Sequence, residues 1–140
     1  MKLELHRIDD AFHLEATNED GVTAHSDAAI KVGGGNKAFR PMQLLLMSVA
    51  SCSSIDILLI LKKRKQDVLD FHVTIEGDRD PDNMPSLFTE LWIHYTFKGD
   101  LLEEKVARAI DLSINKYCSA SRTLEKAGAK IVTTFEIKNS

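Results

Sequence analysis

The chain has 140 residues, of which 44% are hydrophobic and 28% charged, and this composition predicts one globular domain over residues 1–140. The net charge is −3 with both signs interspersed, which argues against a nucleic-acid partner because phosphate binding needs clustered Lys and Arg. The basic run at 62–65 closes a predicted helix, where cations meet the negative end of the helix dipole.

The first residues give an expectation about location. Residues 1–7 already alternate charged and apolar side chains, unlike a signal or transit peptide, which predicts a cytoplasmic protein. The segment 41–61 is long enough to span a membrane, but polar residues interrupt it, so we interpret it as a helix buried in protein. In a reducing compartment the two cysteines are not a structural disulfide framework, and any pairing is expected to be transient and catalytic.

The first quarter of the chain predicts an antiparallel meander. Apolar and polar residues alternate near 3–5, 12–16 and 22–26, and the polar stretch 18–21 predicts a turn between the second and third strands. A glycine run at 33–35 then predicts a flexible connection.

A long central helix is predicted from Pro41 to about Lys65. Proline suits the first helical position because its missing N–H would have no partner there. Apolar residues surround the helix on nearly all sides, which is typical of a helix with protein on most of its faces.

The second half of the chain predicts three more strands and two helices. Alternating patterns at 70–76 and 91–98 predict two strands, and residues 131–138 predict the last one. Asp100 followed by Glu103 predicts a capped second helix.

A third, short helix is predicted from about Ser119. The elements together predict an α+β fold of order βββ-α-ββ-αα-β.

The two cysteines carry the candidate chemistry. Cys52 lies mid-helix, four residues from Ser48 and from Asp56, so apolar burial and a nearby carboxylate both disfavour its thiolate. Cys118 is predicted beside the N-terminus of the third helix with Ser119 as its N-cap, where the helix dipole favours a thiolate. From residue types alone two interpretations stay open, an active thiol pair or two inert buried side chains.

The remaining motifs indicate no cofactor. The five histidines lack HxH or HExxH spacing and the cysteines lack CxxC spacing, so no metal site is predicted. The glycine run is not followed by the Lys-Ser/Thr pair of a phosphate-binding loop.

Three sequence motifs are informative together. They are the glycine run at 33–35, a helix start at Pro41 that leads through three leucines to Cys52, and the motif Tyr-Cys-Ser-x-Ser-x-x-Leu at 117–124. In combination they resemble the OsmC/Ohr family of thiol-dependent hydroperoxide reductases, in particular its OsmC-like branch, over essentially the whole chain. The resemblance implies an α+β fold with antiparallel sheets around a long central helix, assembled as an intertwined homodimer.

The resemblance also implies a role in oxidative-stress defence. Cys52 matches the cysteine that attacks an organic hydroperoxide, and Cys118 matches the resolving cysteine that then forms a disulfide with it. An external thiol or dithiol would reduce that disulfide. The thiols would lie at the dimer interface, and the reaction would need no metal or organic cofactor. Charge and the polar residues of the 41–61 segment separately argue against nucleic-acid and membrane partners.

Two positions depart from the family pattern. In the Ohr branch a glutamate after the helix-starting proline orients an activating arginine; here that position is Met42, and the next one, often acidic in OsmC-like members, is Gln43. Gln43 can hydrogen-bond but cannot form a charged pair with a guanidinium. Arg40 is the preferred candidate for the activating arginine, against the alternative of a solvated surface charge.

These departures support a second functional hypothesis. It is an OsmC-like domain without efficient peroxidase activity that binds an apolar small molecule or acts as a redox-sensitive partner.

Overall fold

The order of strands and helices is the predicted βββ-α-ββ-αα-β, which confirms the α+β class. The structure, a computed structural model, describes residues 1–139. The strands are β1 (Leu3–Arg7), β2 (Leu14–Asn18), β3 (Thr23–Ser26), β4 (Asp70–Arg79), β5 (Phe88–Lys98) and β6 (Lys130–Lys138). The helices are α1 (Pro41–Lys63), α2 (Glu103–Leu112) and α3 (Ser119–Lys126), with a 3₁₀ turn at Ile30–Val32 and a π-helical turn at Ser113–Tyr117.

The chain divides into two compact units, Met1–Leu45 and Leu46–Ser140. A single OsmC-like domain over residues 1–140 stays a prediction. The first unit contains the antiparallel sheet β1-β2-β3. Its second turn forms where predicted, because the Asn18 side chain accepts hydrogen bonds from two backbone N–H groups of the turn and Gly21 supplies a φ of +78°.

The glycine run is a site of close backbone approach. A Cβ atom on Gly34 would lie 2.0 Å from the carbonyl oxygen of Ala28, so no other residue fits there without a backbone shift. Steric fit therefore explains the glycine at position 34, and the flexibility of the connection stays a prediction.

Helix α1 begins at Pro41 as predicted and ends at Lys63, two residues before the expected end. Lys65 adopts a positive φ of 55°, which a continuing helix cannot contain. At the N-terminus the backbone N–H of Arg40 donates to Oε1 of Gln43 at 2.9 Å, the reciprocal half of a capping box.

The chain itself covers only part of α1. Its fully buried residues include Val49, Ile57 and Leu61, whereas Met47, Ile55 and Leu59 are 47%, 60% and 51% exposed. The sequence predicted that protein covers most faces of α1, but this chain alone leaves part of the helix exposed. The helix is also long and apolar enough to cross a membrane, but core helices of soluble proteins meet the same criterion, so this is weak evidence for a span.

The second unit is built on the sheet β4-β5-β6. Strands β4 and β5 form an antiparallel hairpin, whereas β5 and β6 pair in parallel because α2 and α3 carry the chain back across the sheet. The central strand β5 is the most buried one, and Leu91, Ile93, Tyr95 and Phe97 on its core face are at most 1% exposed.

The helices after β5 start differently from the prediction. The capping box at Asp100 is wrong, because the N-cap of α2 is Leu102 and no side chain caps it. The backbone N–H of Leu102 instead donates to Oε1 of Gln66 at 2.8 Å. The N-cap of α3 is Cys118 rather than Ser119.

We predict that the side chain of Gln43 stabilises the start of α1. Gln43→Ala should lower the free energy of unfolding by about 0.5–1 kcal/mol, because the backbone N–H of Arg40 loses its acceptor. Gln43→Glu keeps an acceptor and adds a negative charge at the helix N-terminus, so it should be at least as stable as wild type. Urea unfolding followed by circular dichroism measures both variants, and equal stability of the two would contradict the cap.

Candidate functional site

The structure brings the two cysteines together. Cys52 lies in the middle of α1, and Cys118 lies between the π-helical turn and α3. Their Sγ atoms and a carboxylate oxygen of Asp56 all lie within 4.8 Å of one another. Both thiols are free. The two cysteines that the sequence predicted to pair are therefore close in space, and both belong to the second unit.

Local backbone geometry places Cys118. The π-helical turn ends with the N–H of Cys118 donating to the carbonyl oxygen of Ser113 at 2.7 Å. Single π-helical turns occur frequently at functional sites because they redirect the side chains that follow. Cys118 then caps α3, and its Sγ accepts the N–H of Ser121 at 3.4 Å and the hydroxyl of Ser121 at 3.0 Å.

Burial dominates the ionisation of Cys118. Desolvation raises the pKa of the Cys118 thiol above its usual value, and the neighbouring Cys52 raises it further. The two hydrogen bonds from Ser121 act in the opposite direction but are the smaller effect. Cys118 lies at the N-terminus of α3 as expected, but burial outweighs the hydrogen bonds from Ser121, so the net direction of its pKa shift is upward.

A polar network fixes Asp56 beside the thiols. The buried hydroxyl of Ser113 lies 3.3 Å from Oδ2 of Asp56 and 3.2 Å from the carbonyl oxygen of Ser53. The hydroxyl carries a single proton and can donate to one of these acceptors at a time. This contact joins the π-helical turn to α1 close to Cys52.

A second buried hydrogen bond joins α1 to β5. The phenol of Tyr95 donates to Oγ of Ser53 at 2.7 Å, and Ser53 donates to the carbonyl oxygen of Ala50 at 3.1 Å. Burial raises the pKa of Tyr95 to about 12. Tyr95 therefore stays a neutral donor at physiological pH and holds α1 against the sheet.

The sequence signalled some of these supporting residues only indirectly. Asp56 lies one helical turn after Cys52, and Ser121 lies at the third position after Cys118, where an N-cap acceptor finds its donor. Alternation places Tyr95 on the buried face of β5. Nothing in the sequence predicted the contact of Ser113 with Asp56.

A cleft of about 470 Å³ opens beside Asp56. About half of its wall is apolar, and Lys63 and Arg64 contribute the cations at the C-terminal end of α1. The other lining residues are Leu59, Ile60, Leu112 and Tyr117. The cleft thus connects an apolar surface with the carboxylate that neighbours both thiols.

Arg40 and Gln43 lie at the start of α1, in the first unit, and both are exposed. The Gln43 oxygen is occupied by the backbone N–H of Arg40. Within residues 1–139 the Arg40 guanidinium makes no ion pair or hydrogen bond. Their roles toward Cys52 stay predictions.

Comparison with known proteins gives consistent matches. The family model described as OsmC-like protein matches residues 34–134. Protein YhfA of Escherichia coli (strain K12) is 43% identical over 104 residues, which cover 74% of this chain and 76% of YhfA.

Solved structures match along almost the whole chain. The crystal structure of a hypothetical protein from Aquifex aeolicus VF5 has a TM-score of 0.84 at 29% identity and covers 99% of this chain and 96% of that one. An organic hydroperoxide resistance protein OsmC from Legionella pneumophila has a TM-score of 0.68 at 18% identity, with 96% and 95% of the two chains covered. The likeness to the Legionella protein is one of fold alone.

We predict that Tyr95 makes stability depend on alkaline pH. Its pKa rises from about 10 in the unfolded chain to about 12 in the folded protein, so folding favours the neutral phenol. The stabilisation is complete below pH 10 and is lost as the pH rises from about 10 through about 12. Two pKa units correspond to a ceiling of about 2–3 kcal/mol.

The matched variant for this prediction is Tyr95→Phe. Near neutral pH wild type should be more stable than Tyr95→Phe by about 1 kcal/mol through the bond to Ser53. Urea unfolding at about pH 8, 10 and 11 should show that the difference in free energy of unfolding between wild type and Tyr95→Phe decreases as the pH rises. The other titrating groups are the same in both proteins, so their contributions cancel in this difference. A difference that stays constant with pH would contradict the buried neutral phenol.

Proposed function

Because this chain belongs to the OsmC-like protein family, we propose that it reduces organic hydroperoxides with Cys52 and Cys118 as its redox pair. The observation that carries the proposal is the separation of the two Sγ atoms, which is at most 4.8 Å. A disulfide needs about 2.05 Å, so side-chain rotation with a small backbone adjustment would close the gap.

The difference in burial supports the assignment of roles. Cys118 is 2% exposed, whereas Cys52 is half-buried, so a peroxide reaches Cys52 first. Burial also raises the pKa of Cys118 and keeps it as a thiol at rest. Cys52 is therefore the attacking cysteine and Cys118 the resolving one.

The proposed reaction has two steps. The Cys52 thiolate attacks the distal peroxide oxygen, the O–O bond breaks, and the alkoxide leaves and takes up a proton to become the alcohol. The Cys118 sulfur then attacks the sulfur of the resulting Cys52 sulfenic acid, the S–OH bond breaks as the disulfide forms, and the departing hydroxide leaves as water with the proton of the Cys118 thiol. An external thiol or dithiol reduces the disulfide by exchange and is itself oxidised.

The cleft beside Asp56 supports an apolar substrate. Leu59, Ile60 and Leu112 give it apolar walls that suit an organic peroxide better than hydrogen peroxide. Arg40 is the proposed activating cation for Cys52. We propose a cytoplasmic location, because a transient catalytic cysteine pair suits a reducing compartment.

A second candidate function is binding without efficient peroxide turnover. Met42 and Gln43 stand where the family pattern has an acidic residue, and within residues 1–139 the Arg40 guanidinium has no carboxylate partner. In this case the same cleft would hold an apolar small molecule, or the thiol pair would serve as a redox-sensitive contact for a partner.

The first prediction from this proposal concerns oxidation products. A small excess of cumene hydroperoxide should link Cys52 to Cys118 within one chain, because their Sγ atoms are already neighbours. Peptide mapping by mass spectrometry under non-reducing conditions detects the link. Cys118→Ser is the matched control and should accumulate oxidised Cys52 without the link. Recovery of only cross-chain links from wild type would contradict resolution by Cys118.

The second prediction concerns the missing carboxylate. Met42→Glu should raise the peroxidase rate by up to about tenfold, equivalent to about 1.4 kcal/mol, because it gives the Arg40 guanidinium a charged partner. Met42→Gln is the neutral control and should leave the rate near wild type. If Met42→Glu folds, as judged by circular dichroism, and its rate does not change, the binding function becomes the better account.

The third prediction concerns assembly. We propose a homodimer because Met47, Ile55 and Leu59 leave a large apolar part of α1 uncovered by the chain itself. Light scattering at micromolar concentration should give about twice the chain mass of 15.6 kDa. Ile55→Glu should weaken the dimer, with Leu69→Glu as a control at an exposed apolar residue outside α1. A wild-type monomer would contradict the dimer.

A further inference from the structure

We propose that Cys52, Asp56 and Cys118 of the reduced protein form a binding site for a thiophilic divalent cation of the zinc class. The three side chains offer two sulfur atoms and one carboxylate oxygen, all within 4.8 Å of one another. This set was not predicted from the sequence, because its members come from the middle of α1 and from the start of α3 rather than from a local ligand motif.

The donor set and its spacing fit a tetrahedral ion. Zinc binds thiolate sulfur at about 2.3 Å and carboxylate oxygen at about 2.0–2.2 Å, so two tetrahedral sulfur ligands lie about 3.8 Å apart. A set of donors within 4.8 Å therefore needs only small side-chain rotations to enclose the ion. The softness of two thiolates favours zinc, cadmium or cobalt over magnesium or calcium.

The groups around the donors support ligation. The Ser121 N–H and hydroxyl both donate to Sγ of Cys118, and the Ser113 hydroxyl lies 3.3 Å from Oδ2 of Asp56. Hydrogen bonds of this kind orient metal-bound thiolates and carboxylates and are a regular part of metal sites. They are present here before any ion binds, so two of the three donors are already held in place.

The position of Asp56 suits a cation bound by the two sulfur atoms better than it suits a metal-free thiolate. A carboxylate within 4.8 Å of both sulfur atoms repels a developing thiolate, whereas it balances the charge of a cation that binds two thiolates. Cys118 is buried and Cys52 is half-buried, and the cleft reaches Asp56. Three protein ligands with an approach from the cleft leave the fourth position for water or a small ligand.

Binding of the ion excludes the redox reaction. Each thiol gives up one proton to solvent as the ion binds, two protons in total, and no atom is oxidised or reduced. While the ion holds both sulfur atoms, neither peroxide attack nor disulfide formation takes place. The disulfide form in turn lacks the thiolates and releases the ion.

Cobalt and zinc titrations of the purified, fully reduced chain test this inference without any peroxide. Cobalt should bind at about one equivalent per chain and give thiolate-to-cobalt charge-transfer absorption, which zinc then abolishes. Cobalt bound only by histidines gives no thiolate-to-cobalt band, and the chain has no cysteine besides Cys52 and Cys118. The band therefore reports ligation by these two residues. Chelator competition gives the zinc affinity.

Variants separate the three donors. Cys118→Ser should keep the cap of α3, because serine is a good N-cap residue, but should weaken zinc binding at least about 10-fold. Cys52→Ser should have a similar effect. Asp56→Asn should weaken zinc about 10-fold or more while its side-chain oxygen still accepts from Ser113. The exposed Asp67→Asn is the control and should bind as wild type does.

The outcomes are distinct from those of the peroxidase proposal. Absence of the charge-transfer band, or equal zinc affinity of wild type and Cys118→Ser, would overturn the cation site and leave the disulfide chemistry untouched. A band that persists in the peroxide-oxidised, disulfide-linked protein would equally overturn it. Zinc binding by a chain that never consumes peroxide would support the site and contradict only the enzyme.

Discussion

The candidate site depends on the contact between the Ser113 hydroxyl and α1. Ser113 lies 3.2 Å from the carbonyl oxygen of Ser53, and its own carbonyl oxygen accepts the N–H of Cys118 at 2.7 Å. The same residue thus anchors the π-helical turn on α1 and sets the backbone position of Cys118. Because both bonds are buried, breaking either one leaves an unpaired polar group away from water. The proximity of the two thiols follows from this arrangement.

The two thiols differ in their exposure to solvent, and burial makes the thiolate of Cys118 less favourable. Bringing Cys118 against α1 removes it from water, so its pKa rises although Ser121 donates two hydrogen bonds to its sulfur. Cys52 keeps partial access to solvent. One fold therefore holds a buried thiol beside an accessible one, with Asp56 within reach of both. An accessible thiol beside a protected one suits the proposed reaction, in which Cys52 meets the peroxide and Cys118 then forms the disulfide.

The sequence predicted the elements more completely than it predicted their contacts. Periodicity and the proline at Pro41 located the strands and α1, because these depend on local pattern. The cap of α3 was misplaced by one residue, since cysteine is an unusual N-cap and serine a common one. The link from Ser113 to Asp56 joins residues far apart in the chain, and no local rule predicts such a pair. Cys52 and Cys118 were found through the family motif rather than through their chemistry.

We propose that an organic hydroperoxide oxidises this pair of thiols to a disulfide. Its most direct test is a single-turnover experiment in which fully reduced protein is mixed with a limiting organic hydroperoxide, and both residual peroxide and free thiols are counted. Each peroxide consumed should remove two thiols from one chain, and Cys52→Ser should consume none above the buffer rate. Peroxide consumption by wild type no faster than by Cys52→Ser would contradict it.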